Sequence, residues 1–139
     1  MNLKWAKRWL AFEGGIDKVM EMYADDVEFE DIIFGEKISR KAKLREFLSA
    51  FTDPKAEIHK FVALSYTGGP EGGAVEWTWN AKHAGDFMGV PAAGKETNTR
   101  GVSILTFKGG KIASQHDYWD VAAVFRQLGA IKQVILTPR

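Results

Sequence analysis

The chain has 139 residues, of which 45% are hydrophobic, 27% charged and 12% aromatic, and it contains no cysteine. That length is typical of one domain, the apolar fraction excludes a disordered chain, and the absence of cysteine excludes disulfides and thiolate chemistry. A net charge of +1 gives no electrostatic reason to expect nucleic acid or a membrane surface as partner. With neither a secretory signal nor an apolar run of membrane-spanning length, a cytoplasmic protein is expected.

The N-terminal third predicts three helices and one strand. Apolar residues at helical spacing mark 3–12 and 16–23, with Gly14-Gly15 between them, and period-two alternation then marks a strand at 27–31. Ser39 is predicted to cap a third helix that Asp53-Pro54 ends. Apolar residues that carry these patterns include Trp5, Trp9, Val19, Tyr23, Val27, Phe29, Leu44, Phe47, Leu48 and Phe51.

The remainder reads mainly as strands. Four are predicted, at 57–66, 74–82, 96–107 and 111–119. Glycine-rich turns occupy 68–73 and 108–111, and a loop rich in Gly and Pro covers 84–95. A last short helix at 121–128 is capped by Asp120 and closed by Gly129.

Helices followed by an antiparallel meander predict an α+β fold, in which helices pack on one face of a curved antiparallel sheet. Neither a linker nor an internal repeat is visible, so one domain over 1–139 is expected. The C-terminal extension, 130–139, is compatible with a further strand or with a loose tail.

Asp31 continues the apolar face of Val27 and Phe29, so the alternation directs a carboxylate to where apolar side chains lie. Loss of water at such a position raises the pKa of a carboxyl group and suits it to proton transfer. The alternative is that the strand ends at Glu30 and that Asp31 opens a solvent-exposed turn.

Asp117 lies on the face of Ala113 and Trp119 in the last predicted strand, whereas His116 points to the opposite side. An acid/base role is one interpretation of Asp117. The other is a structural ion pair, for which Arg100 is one candidate partner.

His83 prolongs the face of Trp77 and Trp79, where it either shares the interior with the indoles or lies free at a strand end. The two tryptophans fit a core or a cavity wall equally well. The histidines are scattered without an i, i+4 pair, and GGPEGG lacks the Lys-Ser/Thr ending of a phosphate loop. Neither a metal nor a cofactor is therefore predicted.

Several segments together resemble the nuclear transport factor 2-like superfamily. YADDVEFED at 23–31 is similar to the second helix and first strand of ketosteroid isomerases. HAGDFMGVPAAGK at 83–95 is similar to the SnoaL-like polyketide cyclases, as are GKI at 110–112, HD at 116–117 and RQLG at 126–129.

The resemblance extends from about Trp5 to Gly129. It implies a cone-shaped domain, in which a bent antiparallel sheet wraps around a deep apolar pocket, and it implies a homodimer formed through the sheet. By position, Asp31 corresponds to the general base of ketosteroid isomerases. Asp117 corresponds to the acid/base aspartate of SnoaL-like cyclases, and limonene-type epoxide hydrolases also carry an aspartate near that position.

The chain departs from these relatives at specific positions. Ketosteroid isomerases stabilise the enolate with a Tyr on the first helix and a protonated Asp on a later strand. The first helix here offers Trp5 and Trp9, and Ser103 replaces the later acid. Glu76 and Trp77 lie where epoxide hydrolases are expected to have Arg and Asp.

The leading hypothesis is cofactor-free acid/base chemistry, either cyclisation or isomerisation, on a hydrophobic carbonyl compound. The catalytic candidates are Asp117, Asp31 and His83, with His83, Tyr23, Tyr118 or Trp77 as the donor near the carbonyl oxygen. Residues expected to contact substrate are Trp5, Trp9, Tyr23, Phe29, Trp77, Trp79, Phe87, Ser103 and Trp119. Phe47, Phe51 and Phe125 are assigned to packing of helices on the sheet.

Other functions remain open at this point. An epoxide hydrolase-like reaction is one, and a dehydratase-like reaction that pairs Asp31 with His83 or His116 is another. A ligand-binding or dimerising module without catalysis predicts carboxylates that are salt-bridged or outside the pocket. A purely structural protein predicts no cavity of about 300 Å³ or more, the usual size for ligands.

Overall fold

The computed structural model describes residues 1–52 and 57–131. The predicted helix stop at Asp53-Pro54 and the tail from 132 onwards lie outside the described residues. The helices are α1 (Leu3–Leu10), α2 (Ile16–Met20), α3 (Lys41–Ser49) and α4 (Val121–Gln127). The strands are β1 (Tyr23–Asp31), β2 (Glu36–Ile38), β3 (Ile58–Gly68), β4 (Gly72–Lys82), β5 (Glu96–Lys108) and β6 (Lys111–Trp119).

All six described strands form one sheet in the order β2-β1-β6-β5-β4-β3. The predicted antiparallel meander is present from β3 to β6. The last strand, β6, pairs in parallel with β1, the first strand of the chain, so the sheet is mixed. Parallel neighbours need a long crossover, and β2 to β5 supply it.

Irregular pairing bends the sheet around its inner face. The register shifts between Ala63 and Ser65 in β3, between Thr106 and Phe107 in β5, and at the start of β1. Such bulges add local twist and bend to a strand. Helix α1 packs against β3 and α3 against β1, so the helices cover the concave side. The predicted α+β fold with a curved sheet is confirmed.

The helix ends agree with the predictions in part. Asp120 caps α4 by accepting a hydrogen bond from the backbone N–H of Ala123 at 3.0 Å, and Gly129 follows with a φ of 79°. Ser39 is not a cap, however, because α3 begins one residue later, with Arg40 at the N-cap position and no side-chain hydrogen bond.

Two assignments near the first strand were wrong or missing. The helical spacing assigns Tyr23 to the second helix, but Tyr23 is the first residue of β1, where it pairs with Ile112 of β6. Pairing with a distant strand overrides the helical spacing, which a helix of only five residues supports weakly. The short strand β2 follows a turn after Asp31. Its three residues are too few to show a period-two alternation, so the sequence does not predict it.

The period-two prediction for β4 is confirmed. Val75, Trp77, Trp79 and Ala81 are all buried, whereas the intervening side chains are less buried or exposed. Buried residues of β5 and β6 continue this inner face across the sheet. No helix within the described residues is long and apolar enough to cross a membrane.

Candidate active site

A cavity lies between the concave side of the sheet and the helices. Its volume is about 70 Å³. The aromatic residues that line it are Trp9, Phe12, Tyr23, Phe34, Phe47, Phe51, Phe61, Trp77, Trp79 and Trp119. Its other polar lining residues are Asp31, Ser103, Gln115 and Asp117. The volume is below the ~300 Å³ usual for ligand sites.

Strand register explains why the polar groups meet at one place. Val75 of β4 pairs with Ser103, Ser103 with Asp117, and Asp117 with Asp31, so one row of partners crosses four strands. Neighbouring strands lie about 4.8 Å apart, which places the two carboxylates side by side. The parallel β1–β6 pair therefore brings both predicted aspartates into the cavity.

Asp117 receives its hydrogen bonds from two neutral side chains. Ser103 Oγ donates to Asp117 Oδ1 at 2.6 Å, and Gln115 Nε2 lies 3.0 Å from Oδ1 and 3.2 Å from Oδ2. Burial and, to a smaller extent, the nearby Asp31 raise the pKa of Asp117 to about 7, against the lowering effect of these donors. Asp117 is thus able to gain and lose a proton near neutral pH.

The donors to Asp117 are themselves hydrogen-bonded within the cavity wall. Trp77 Nε1 donates to Ser103 Oγ at 2.9 Å. Tyr23 Oη donates to Gln115 Oε1 at 2.7 Å, and Trp9 Nε1 donates to Tyr23 Oη at 3.1 Å. Trp77 and Tyr23, two of the proposed donors to a substrate oxygen, therefore use their hydrogen atoms within the protein.

Asp31 is 5% exposed and accepts three N–H groups. The backbone N–H groups of Ile33 and Phe34 donate to Oδ1 at 3.0 and 2.9 Å, and Trp119 Nε1 lies 3.1 Å from Oδ1. Burial raises the pKa of Asp31, while these three donors act to lower it. The alternation argument for a desolvated carboxylate is confirmed, and the solvent-exposed alternative is wrong.

The cavity contains no compensating positive charge among the described residues that line it. Arg100, the proposed ion-pair partner, contacts Glu76 at 3.4 Å, and both side chains are largely exposed. Unpaired burial of carboxylates is the situation in which a raised pKa is expected. The ion-pair interpretation of Asp117 is therefore not supported by its surroundings.

His83 belongs to a separate polar cluster and is not a lining residue of the cavity. It is 2% exposed, its Nε2 lies 2.8 Å from Thr97 Oγ1, and its Nδ1 lies 3.7 Å from a Glu57 oxygen. Burial lowers the pKa of His83, which favours the neutral ring. Trp79, which lines the cavity, packs edge-on against His83 at 6.3 Å between ring centroids. The pairing of His83 with the aspartates is thus not present.

Three rings predicted at the cavity wall pack behind it instead. Trp5 stacks on Trp9, with ring centroids 5.5 Å apart, and Phe29 packs on Phe47 at 5.2 Å. Phe87 packs against Phe34, Trp79 and Trp119, which line the cavity, and is not itself a lining residue. Trp9, Tyr23, Trp77, Trp79, Ser103 and Trp119 do line the cavity.

Two further candidates lie on the outer side of the protein. Tyr118, a proposed donor, is 44% exposed. His116 points away from the cavity, as predicted, and its Nε2 lies 3.9 Å from Glu30. A dehydratase-like pairing of Asp31 with His116 is therefore absent.

Sequence reasoning missed several lining residues. Gln115 stands two residues before Asp117 in β6, so the same alternation that selected Asp117 would have found it. Phe47 and Phe51 were assigned to packing alone but also line the cavity. Phe34 lies in a turn and Phe61 in a strand with weak burial contrast, so neither carried a local signal.

Across residues 1–52 and 57–131, no set of three or more His, Asp or Glu side chains is arranged to hold a metal ion.

The raised pKa of Asp117 predicts how the stability of the folded protein depends on pH. The folded pKa of about 7 exceeds the ~3.9 of an unfolded aspartate, so the folded state binds this proton more tightly. The unfavourable contribution of Asp117 is absent below about pH 4 and complete above about pH 7. We expect Asp117→Asn to raise the melting temperature, relative to the parent protein, more at pH 8 than at pH 4.

Thermal melts of both proteins at the two pH values measure this difference. Exposed Asp26 provides the control, because Asp26→Asn changes the same chemical group outside the cavity. A melting-temperature difference for Asp117→Asn that does not vary with pH would contradict the assignment.

The fold and the site together define a class: a curved mixed sheet and N-terminal helices that enclose an apolar cavity with carboxylates on its wall. This is the architecture of the nuclear transport factor 2-like superfamily. The chain belongs to the SnoaL-like polyketide cyclase family, whose sequence pattern matches residues 4–128. No curated protein matches the sequence significantly.

Solved structures agree with the fold. TsrD from Streptomyces laurentii has a TM-score of 0.76 at 16% identity, over 92% of this chain and 94% of that one. A SnoaL-like polyketide cyclase from Agrobacterium tumefaciens has a TM-score of 0.71 at 21% identity, over 91% and 95% of the two chains. A ketosteroid isomerase-like protein from Catenulispora acidiphila, in complex with trimethylamine, has a TM-score of 0.67 at 15% identity, over 90% and 88%.

Proposed function

We propose that this protein is an enzyme that performs cofactor-free acid/base chemistry, a cyclisation or an isomerisation, on a hydrophobic carbonyl compound. The observation that carries the proposal is Asp117: its carboxylate lines an apolar cavity, receives hydrogen bonds only from neutral donors, and has a pKa of about 7. A group with that pKa exchanges protons efficiently at neutral pH. Membership of the SnoaL-like family supports the same class of reaction.

The hydrogen bonds favour one oxygen of Asp117 as the reacting atom. Oδ1 accepts from both Ser103 and Gln115, whereas Oδ2 has only the longer contact with Gln115. Oδ2 therefore retains more acceptor capacity. In the proposed reaction it removes a proton from the carbon next to the carbonyl, and the C–H electron pair forms the enolate. The proton then returns to another carbon, or to the carbonyl oxygen that the enolate carbon attacks in ring closure.

Asp31 has a supporting role in this proposal. Its three N–H donors favour the charged form, so it remains the more ionised carboxylate. A fixed negative charge beside Asp117 favours the protonated form of Asp117. The resemblance to ketosteroid isomerases assigned the base to Asp31; the surroundings support Asp117 instead.

Deuterium exchange tests the proposal without knowledge of the natural substrate. The probe is 2-tetralone, a bicyclic ketone with acidic C–H bonds beside its carbonyl, incubated with the protein in D₂O and followed by proton NMR. We expect exchange above the buffer rate, with a protein-dependent rate that rises with pH and levels off above about pH 7, the pKa of Asp117. Bound 2-tetralone that exchanges only at the buffer rate would oppose catalysis.

The size of the cavity favours two alternatives without catalysis: a purely structural protein, which predicts no cavity of about 300 Å³ or more, and a binding module for a small ligand. About 70 Å³ accommodates a group of only a few heavy atoms, so a polycyclic substrate requires aromatic side chains at the mouth to move. The related Catenulispora protein holds trimethylamine, a molecule of that small size. Calorimetric titration with 2-tetralone separates the candidates, since a binding module binds it without accelerating exchange and a purely structural protein does not bind it.

We also propose a cytoplasmic homodimer that forms through the outer face of the sheet. Val62, Leu64, Ile104 and Tyr118 on β3, β5 and β6 are exposed, with Ile104 at 43% and Tyr118 at 44%. Apolar side chains grouped on one face of a sheet are typical of an interface. Sedimentation equilibrium measures the mass, for which we expect twice that of the chain, and Ile104→Lys should give the mass of one chain.

A further inference from the structure

The indole N–H groups fix the direction of every hydrogen bond that leads to Asp117. An indole N–H can only donate, whereas a hydroxyl group both donates and accepts. Trp77 Nε1 contacts Ser103 Oγ at 2.9 Å, so the serine oxygen is the acceptor there. The serine hydrogen is then free to point at Asp117 Oδ1, 2.6 Å away.

An indole also fixes the direction of the hydrogen bonds that reach Asp117 through Gln115. Trp9 Nε1 donates to Tyr23 Oη, so the tyrosine hydrogen points at Gln115 Oε1. With its oxygen occupied as an acceptor, the Gln115 amide directs its NH₂ group to Asp117. Both routes begin at an indole on the cavity wall and end at the same carboxylate.

The position of Trp77 depends on the absence of a side chain opposite it. Gly101 is its register partner on β5, and a Cβ atom at Gly101 would overlap the six-membered part of the indole ring. The indole therefore lies flat over Gly101 and reaches the next inward residue of β5, which is Ser103. A glycine at this point of a strand is typical of such a close approach.

We infer that Trp77 and Trp9 are positioning residues, whose indole N–H groups orient Ser103 and the Tyr23–Gln115 pair as obligatory donors to the carboxylate of Asp117. The inference rests on the proposed acid/base role of Asp117. It assigns the tryptophans a polar function in addition to their contribution to the apolar wall.

The consequence is measurable as the pKa of Asp117. Oriented donors stabilise the charged carboxylate, and hydrogen bonds in a chain strengthen one another. Among the described residues, the titratable group that acts on Asp117 is Asp31, which raises its pKa, and Asp117 in turn raises the pKa of Tyr23, on which burial has the larger effect. Neither is altered by a substitution at Trp77.

The test compares Trp77→Phe with Trp79→Phe. The two tryptophans lie on the same face of β4, are each 4% exposed and line the same cavity, but Trp79 Nε1 donates to His59 Nδ1 instead. The ¹³C signal of the Asp117 carboxyl carbon, identified by its loss in Asp117→Asn, is titrated in each protein. We expect Trp77→Phe to raise the pKa by about 0.5, a threefold decrease in the ratio of ionised to protonated Asp117.

We expect Ser103→Ala, which removes the donor itself, to raise the pKa by about 1, and Trp79→Phe to leave it unchanged. If Trp77→Phe does not fold, the pKa of Asp117 is measured with a tryptophan analogue at position 77 that carries sulfur in place of the N–H. This analogue keeps the ring volume and removes the donor. Equal pKa values in the proteins altered at 77 and 79 would overturn the inference. Because the titration requires no turnover, it is independent of the exchange assay that tests the proposed function.

Discussion

Asp117→Asn is expected to lower the protein-dependent rate of proton exchange on a bound ketone by about 10²–10⁴-fold, the usual contribution of a general acid or base. The amide keeps an oxygen that can accept from Ser103 and Gln115, so the hydrogen bonds that hold the side chain largely remain. What is lost is a group that titrates near neutral pH. Exchange of 2-tetralone followed by NMR measures the rate.

Asp26→Asn is the matched control, because it makes the same change at an exposed position of β1. We expect it to retain the parental rate. Circular dichroism and a thermal melt establish that both variants are folded. An unchanged exchange rate in folded Asp117→Asn would remove Asp117 from the mechanism.

The largest effect on stability is expected at Asp31. Asp31→Ala leaves three N–H donors without their acceptor: those of Ile33 and Phe34 in the following turn, and Trp119 Nε1 in the buried wall. A buried donor without a partner costs about 1–3 kcal/mol, and the loss is expected to total about 3 kcal/mol. Urea denaturation measures the change in the free energy of unfolding.

Asp31→Asn provides the comparison, since its amide oxygen can still accept from the two backbone N–H groups. We expect it to lose about 1 kcal/mol or less. Equal losses for the two variants would show that the charge matters at this position and the hydrogen bonds do not.

Local sequence signals were sufficient for most of the fold. The alternation of Trp77 and Trp79 on β4, the cap at Asp120 and the Gly109-Gly110 turn between β5 and β6 all act within a few residues of the chain, and the structure has each of them. The predicted helix cap at Ser39 was wrong by a single residue, which is the usual uncertainty of a helix boundary.

The assembly of the site could be predicted only in part. Asp31 and Asp117 were selected because each shares an apolar face, and that argument needs only local alternation. Their adjacency depends on the parallel pairing of β1 with β6, which joins segments 86 residues apart and has no local signature. For His83 the same local alternation was misleading. This residue shares the face of Trp79, but it packs against that indole and does not line the cavity.

The aromatic residues predicted at the cavity wall are buried or partly buried in the core, but the sequence did not separate those that line the cavity from those that pack behind them. Trp9 and Trp5 lie on the same helix and stack, so one of them lines the cavity while the other stands behind it. Which indole is nearer to the cavity depends on how α1 rests on β3, a tertiary contact that spacing along the chain does not contain.

The decisive measurement is the titration of the Asp117 carboxyl carbon by ¹³C NMR, because the proposed chemistry requires a carboxyl group that changes its protonation state near neutral pH. We expect a midpoint at about pH 7. A midpoint near 4, the value of an ordinary aspartate, would contradict it.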